Sequence, residues 1–407
     1  MVDIEPKKIT ILCARHSAFD GRVFQLEARE LARVGHKVTL IAPRLNNEPP
    51  RQVVDGVRII TYEKAKSLLV RKYHTIATLV RLAMHYRGDV FHVHEMDSSL
   101  MAAVITKKKL QKKGIPVKLI FDSHEVWPYF YATFRKNPFL RRIIVHLVTE
   151  FENWVVRKHV DAVIAAHELE TNYYLWQHPW TPAFCVVGAP PLDQWPEPKA
   201  RSGPIRTLGH DGFFSLQRGM DVMLGAFEIL ANEYPDLTFL AAGDFMSDTD
   251  RDWYEEWTAR TGLGDRVTTT GWVDRRDILD YLEQMDIGLV ANRQDIHSVR
   301  CWPANKMMYY MGRGLPVVST PAPLYKRYID ANKCGQTANQ FSSSAMANAL
   351  RTMLDNPDQT REMGRNGYRA VLRDFHPAQA LKNLHAAYTS LTEEVQVVDE
   401  QVTLQGA

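Results

Sequence analysis

A lysine in the first turn of a helix, next to an asparagine, is a device for holding an anion, because the free amides already favour negative charge and the ammonium adds to them. Asn305 and Lys306 form such a pair within DIGLVANRQDIHSVRCWPANKMMYYMGRGLPVVST, residues 286–320. Asn305 also suits an N-cap. Arg218, six residues past Gly212, supplies a second cation at a predicted helix start. Acid–base chemistry has its own residues. The stretch HEMD brings His94, Glu95 and Asp97, and DSHE brings Asp122, His124 and Glu125, each directly after an apolar run. Imidazole beside carboxylate is the make-up of a general acid–base pair. The spacing matches no HExxH motif, and no metal is expected.

The elements around these residues are βαβ units. In residues 286–320 an apolar segment (287–290) leads through a polar loop to a helix from about Asn305. Gly312 and Gly314 break it, and a second β-branched segment follows (315–319). Strand, loop, helix and strand put the loop at the carboxyl edge of a parallel sheet, where ligands bind. The loop carries Asn292, Arg293, Asp295, His297 and Arg300. The same pattern opens the chain: a strand over 9–13, a loop over 14–21 with Arg15 and Asp20, a helix over about 22–34, Gly35 as C-cap, and a strand over 37–42. Gly21 at that helix start lets backbone approach a ligand. No G-x-G-x-x-G is present, which argues against a dinucleotide-binding domain. Further strands are expected over 89–94, 118–121, 161–165, 205–209, 237–242 and 267–271. A proline-rich span after Gly188 marks a boundary between two α/β patterns and predicts two sheets facing one another about a hinge. The expected division is 1–190, a linker 191–204, a second domain 205–375 and a terminal segment 376–407.

The composition is that of an ordinary soluble globular protein: 407 residues, 45% hydrophobic and 24% charged, enough for two or three domains. Four cysteines lie scattered with no CxxC, so a reducing cytoplasm is expected rather than a disulfide scaffold. No run approaches about 18 apolar residues, which predicts a chain neither secreted nor membrane-spanning. Charge is uneven, with 29 Lys/Arg against 20 Asp/Glu in residues 1–200 and 21 against 27 in the rest. Residues 64–118 hold twelve Lys/Arg and three acids, and FLRRIIVHL (139–147) is basic and amphipathic. Such a face suits peripheral contact with an anionic membrane surface. Nucleic acid is disfavoured, because aromatics do not interleave with the cations and no binding motif is present.

The stretch around Lys306 resembles the donor-site signature P-x-K-x-x-E-Y-M-x-x-G-x-P-V-V of GT-B glycosyltransferases of the large nucleotide-sugar-dependent group (group 1, family 4-like), matched by Lys306, Tyr310, Met311, Gly314, Pro316, Val317 and Val318. The resemblance implies an α/β protein of GT-B fold, with two facing Rossmann-like domains, a deep cleft, and a terminal helix crossing back onto the first domain. It implies transfer of a sugar from a nucleotide donor, most readily a UDP sugar, to a glycan or lipid-linked acceptor in polysaccharide or glycoconjugate synthesis. The nucleotide sugar is a co-substrate, and no cofactor is expected. Donor contacts fall on Gly21, Gly212, Arg218, Val273, Arg293, Asn305, Lys306 and Tyr309. Trp272, in a G-x-V turn, reads as core, with nucleobase stacking the alternative. Acceptor contacts fall on Arg15, Asp20, His94 and Glu95. His124 would meet the donor sugar's hydroxyls, with Asp122 or Glu125 as base in an inverting enzyme. The signature's ribose-binding glutamate falls on Tyr309 and its partner on Cys301, so the anomeric outcome does not carry over. That departure leaves an inverting uronosyltransferase, an inactive nucleotide- or glycan-binding scaffold and a sugar-nucleotide epimerase as alternatives.

Overall fold

The computed structural model describes all residues except 1–5, 46–47, 66, 134, 136, 189, 191, 193–194, 275–276, 294–304 and 393–407. Asp295, His297, Arg300 and Cys301 therefore lie outside the described residues. The first sheet holds β1 Lys8–Leu12, β2 Lys37–Pro43, β3 Arg51–Val54, β4 Val57–Tyr62, β5 Val90–His94, β6 Lys118–Ser123, β7 Ala162–Ala165 and β8 Ala183–Cys185. Their order is β3-β4-β2-β1-β5-β6-β7-β8. β3 runs antiparallel to β4 through the turn at Asp55 and Gly56, whose φ of 50° and 79° suit an Asp-Gly hairpin. The other pairings are parallel. The second sheet is parallel throughout, with β9 Thr207–Asp211, β10 Thr238–Ala242, β11 Val267–Thr269, β12 Ile287–Val290, β13 Val317–Ser319 and β14 Gly335–Thr337 in the order β11-β10-β9-β12-β13-β14.

β5 and β12 are buried at every position, as parallel strands covered by helices on both faces must be. Strand order reverses between β1 and β5 and again between β9 and β12. The loops leaving the carboxyl ends of those four strands therefore part and open a crevice in each sheet. Most of the polar residues singled out above sit on them.

Two helices set the geometry there. The first starts at Gly21, but residues Gly21–Ala28 wind as a π-helix before Arg29–Arg33 become α-helical. Asp20 caps it by accepting from the amides of Arg22 and Val23. The other helix, Asn305–Gly312, has Met307, Met308, Tyr310 and Met311 buried. It ends through Gly314 (φ 65°), with the Leu315 amide bonded back to the Tyr310 carbonyl at 2.9 Å. Asn305 is the first described residue of this helix, and positions 294–304 before it lie outside the described residues.

The last described helix, Pro377–Thr389, follows the second sheet in sequence and packs on the first. Ala380, Leu384 and Ala387 enter the first sheet's core, and Asn383 donates to the Cys185 carbonyl at 2.6 Å. Among the described residues no helix is long and apolar enough to cross a membrane.

Candidate active site

On the second sheet, Lys306 is not a solvated surface lysine: its side chain is folded inward and the residue is 7% exposed. Its Nζ lies 3.4 Å from Nε2 of His210, at the end of β9. Burial, and then the charge of Lys306, push the His210 pKa down to about 3, so the ring is neutral. Arg218, next to the start of helix Met220–Ala231, adds its positive charge at the same histidine. Gly219 has φ 77°, and a Cβ there would lie 2.0 Å from the Ala291 carbonyl oxygen; only glycine lets these two loops meet. Tyr310 accepts the Asp211 amide proton at 2.8 Å and ties the Lys306 helix to β9.

The rim of this crevice is aromatic. Trp272 is 60% exposed, which corrects its reading as core, and its ring centroid is 6.3 Å from that of the exposed Phe213, beside Gly212. Val273 is half-buried against the core around the Lys306 helix. Arg293 corrects a second expectation. Its Nη2 pairs with Asp221 at 2.6 Å and its Nε donates to the Leu216 carbonyl, which turns it onto the neighbouring helix rather than into the crevice. The two halves meet at Tyr309, whose hydroxyl would be 3.4 Å from a Cβ placed on Gly21.

On the first sheet, His124, with 14% of its side chain exposed, is the least buried member of a layered polar cluster with His94 and Asp122, and its Nδ1 lies 3.9 Å from Glu95. Its Nε2 is 3.4 Å from Asp122 Oδ2, and His94 Nδ1 approaches the same oxygen at 3.0 Å. Behind them Arg22 donates to both oxygens of Asp122, at 3.1 and 2.8 Å, and pairs with Glu27 at 3.1 Å. Burial raises the Asp122 pKa, but Arg22, His124 and His94 outweigh it and hold the carboxyl well below its usual range. Glu27 goes the other way: burial and the neighbouring Asp122 push its carboxyl well above its usual range. His92 and His94 are lowered by burial and stay neutral. Glu27, His92, His94 and Asp122 are of metal-ligand type, yet the Arg22 guanidinium already supplies the positive charge between the two carboxylates.

This arrangement corrects the roles expected of four residues. Asp122 is fully buried and clamped by Arg22, so it cannot take a proton from an acceptor hydroxyl. His94 is buried behind His124 and orients it instead of meeting an acceptor. Asp20 is spent on the helix cap and on His16 Nδ1 at 3.1 Å. Glu95, mostly buried, accepts from His16 Nε2 at 2.9 Å and pairs with Arg15 at 3.3 Å. It also has φ 72°, a left-handed backbone that a glutamate holds only under constraint from its surroundings. Arg15 keeps about half its side chain exposed. Glu125 is half-buried beside His124.

Sequence reasoning missed Arg22, Glu27, His92, His16 and His210. His16 stood inside the HSAFD loop, and its four-residue spacing from Asp20 was the available signal. His210, like His94, sits at the carboxyl end of a strand, one residue before the last of β9. The His16 ring centroid lies 4.9 Å from that of His124. Burial lowers the His16 pKa, but Asp20 and Glu95 outweigh it and raise it to about 10. The folded value lies above the unfolded one near 6.5, so the His16 contribution to stability is full below about pH 6.5 and fades as pH rises towards 10. We expect imidazole NMR to show His16 as a cation at pH 8 and Glu95→Gln to bring its titration down. A neutral ring at pH 8 in the parent would contradict this.

Residues 21–189 match the family described as glycosyl transferase 4-like domain, and residues 206–356 the family described as glycosyl transferases group 1. An uncharacterized glycosyltransferase of Haemophilus influenzae is 20% identical over 83% of this chain and 86% of its own. One component of human phosphatidylinositol N-acetylglucosaminyltransferase is 22% identical over 74% of this chain, which spans 58% of that protein. Among solved structures, sucrose-phosphate synthase of Thermosynechococcus elongatus superposes with a TM-score of 0.69 at 17% identity, covering 95% of this chain and 99% of the other. Anabaena HepE in complex with UDP-glucose gives 0.67 at 13% identity, over 94% and 100%.

Proposed function

The chain belongs to the group 1 glycosyltransferases and has the GT-B fold, and from that premise we propose that it moves a sugar from a UDP donor to a glycan or lipid-linked acceptor. Residues 205–375 grip the nucleotide, and residues 1–190 present the acceptor. The observation that carries the donor half is Lys306, buried at the switch point of the second sheet against a neutral His210. The acceptor hydroxyl oxygen bonds to the anomeric carbon as the bond from that carbon to the diphosphate oxygen breaks; the electron pair leaves with UDP, whose departing oxygen takes up the hydroxyl proton. Lys306, Arg218 and the amides at the helix starts meet the charge that develops there. His124, held by Asp122 and His94, offers its Nδ1 to the sugar hydroxyls. A panel of UDP sugars assayed for UDP release with and without acceptor tests the reading, and absence of turnover with every donor would contradict it. Trp272→Ala should weaken UDP binding by about 1–3 kcal/mol if the base stacks on that ring, as read by calorimetry.

The lipid-linked acceptor has its own support in helix Pro138–His159. Phe139 and Leu147 are 71% and 61% exposed, and Arg141 and Arg142 lie between them. Apolar side chains that insert, flanked by cations that meet lipid phosphates, suit an anionic bilayer. Flotation with anionic vesicles should recover the protein, and Phe139→Glu/Leu147→Glu should abolish recovery. Equal recovery of parent and double variant would contradict this.

A further inference from the structure

On the far side of the second sheet from the crevice lies a cavity of about 300 Å³. Ile205, Asp286 and Pro316, each just before a strand, set it at the amino-terminal edge of β9, β12 and β13. One wall is the linker, with Pro198, Lys199 and Arg201. The other is a single face of helix Pro357–Asp374, with Arg361, Arg365 and Arg369 one turn apart. Glu197 and Asp286 are the carboxylates among the lining residues; Lys199 pairs with Glu283 at 3.5 Å and Arg201 with Asp286 at 3.5 Å and with the Leu282 and Glu283 carbonyls, which leaves the three helix arginines as the cations available to a ligand. The acids that hold the helix arginines, Asp358 and Glu362, sit outside the cavity on the exposed surface. Exposed pairs of that kind are weak and leave the guanidiniums able to turn to a ligand. Arg361 is the best placed, with 16% of its side chain exposed. Tyr368, Pro198 and Pro316 give the same cavity an apolar side.

The cavity also adjoins the end of the Lys306 helix. A Cβ on Gly364 would lie 2.0 Å from the Gly314 carbonyl oxygen, so the arginine helix is seated directly on the turn that ends the Lys306 helix. Arg313, buried at that turn, donates to the linker carbonyl of Pro196 and to Glu283 at 2.9 Å. It also lies over the Trp195 ring at 5.9 Å, and that ring's centroid is 5.3 Å from Tyr309's. Linker, turn and Tyr309 thus form one chain of contacts from cavity to crevice.

We propose that this cavity binds a small organic phosphate, with guanidiniums on the phosphate and the apolar side on its body, and that its occupancy alters donor affinity through the Lys306 helix. The second part rests on the donor reading above. Calorimetric titration with phenyl phosphate and with inorganic phosphate tests the first part. Phenyl phosphate should bind in one equivalent, at least tenfold more tightly than inorganic phosphate. Arg361→Ala and, separately, Arg365→Gln/Arg369→Gln should weaken it at least tenfold with thermal melts unchanged, while Lys306→Ala leaves it alone. No saturable binding, or binding that survives both cavity variants, would overturn the site. UDP titrated with and without saturating phenyl phosphate should differ at least threefold in Kd, and equal values would overturn the coupling. If UDP binds under neither condition, the donor reading fails while the phenyl phosphate result still decides the cavity.

Discussion

Lys306→Ala is expected to slow sugar transfer by about 10²–10³-fold, roughly 2.7–4 kcal/mol, the usual effect of removing one preorganised donor from a developing negative charge. The size of the effect follows from burial. A solvated lysine would be screened, whereas this one is almost fully enclosed beside a neutral imidazole and at a helix start. The loss should fall mainly on kcat, because the diphosphate gains charge as the sugar leaves. Lys306→Arg should not restore the rate, since the wider guanidinium does not occupy the place of a compact ammonium against His210. Steady-state kinetics with a matched thermal melt separates this from misfolding. A variant with the parent's kcat would contradict the assignment.

Arg22→Leu should have the largest effect on stability, about 3–5 kcal/mol by denaturant unfolding, because it leaves Asp122 charged and buried with its cation removed. The exposed pair of Arg365 with Glu362 should contribute less than about 1 kcal/mol. The two carboxyls beside Arg22 also give opposite pH signatures. Asp122 has a folded pKa below its unfolded one, so its contribution is present above about pH 4 and is lost as pH falls. Glu27 has a folded pKa above its unfolded one, so the folded state binds the extra proton and stability declines as pH rises beyond about 4. Glu27→Gln keeps the neutral state and should remove that decline. A stability–pH curve that Glu27→Gln leaves unchanged would mean the carboxyl is ionised in the fold.

The strands and the crevice were legible because both are local. Short apolar runs ended by Gly, Pro or polar loops gave the βα punctuation, and the Lys306 segment carried its helix and its Gly314 stop within a few residues. What the sequence did not disclose depends on distant partners. Arg22 and Asp122 are one hundred residues apart, and nothing near either says that they clamp each other. His94 and His124 look alike as histidines at strand ends, yet one is fully covered and the other keeps part of its side chain exposed. His92, two residues before His94 on β5, meets Tyr388 from the terminal helix, 296 residues away. Trp272 reads as core from its size, but its position in the turn after β11 leaves it at the rim. The π-type winding of the Gly21 helix has no periodicity signal, since its apolar residues suit an α-helix equally well.

The central claim is that cations of the second domain, Lys306 and Arg218, hold the diphosphate of a uridine nucleotide. Calorimetric titration of UDP into the parent, Lys306→Ala and Arg218→Ala tests it most directly. The account predicts one saturable site in the parent and at least tenfold weaker binding in each variant, about 1.4 kcal/mol or more. No UDP binding by the parent, or both variants binding as the parent does, would contradict it.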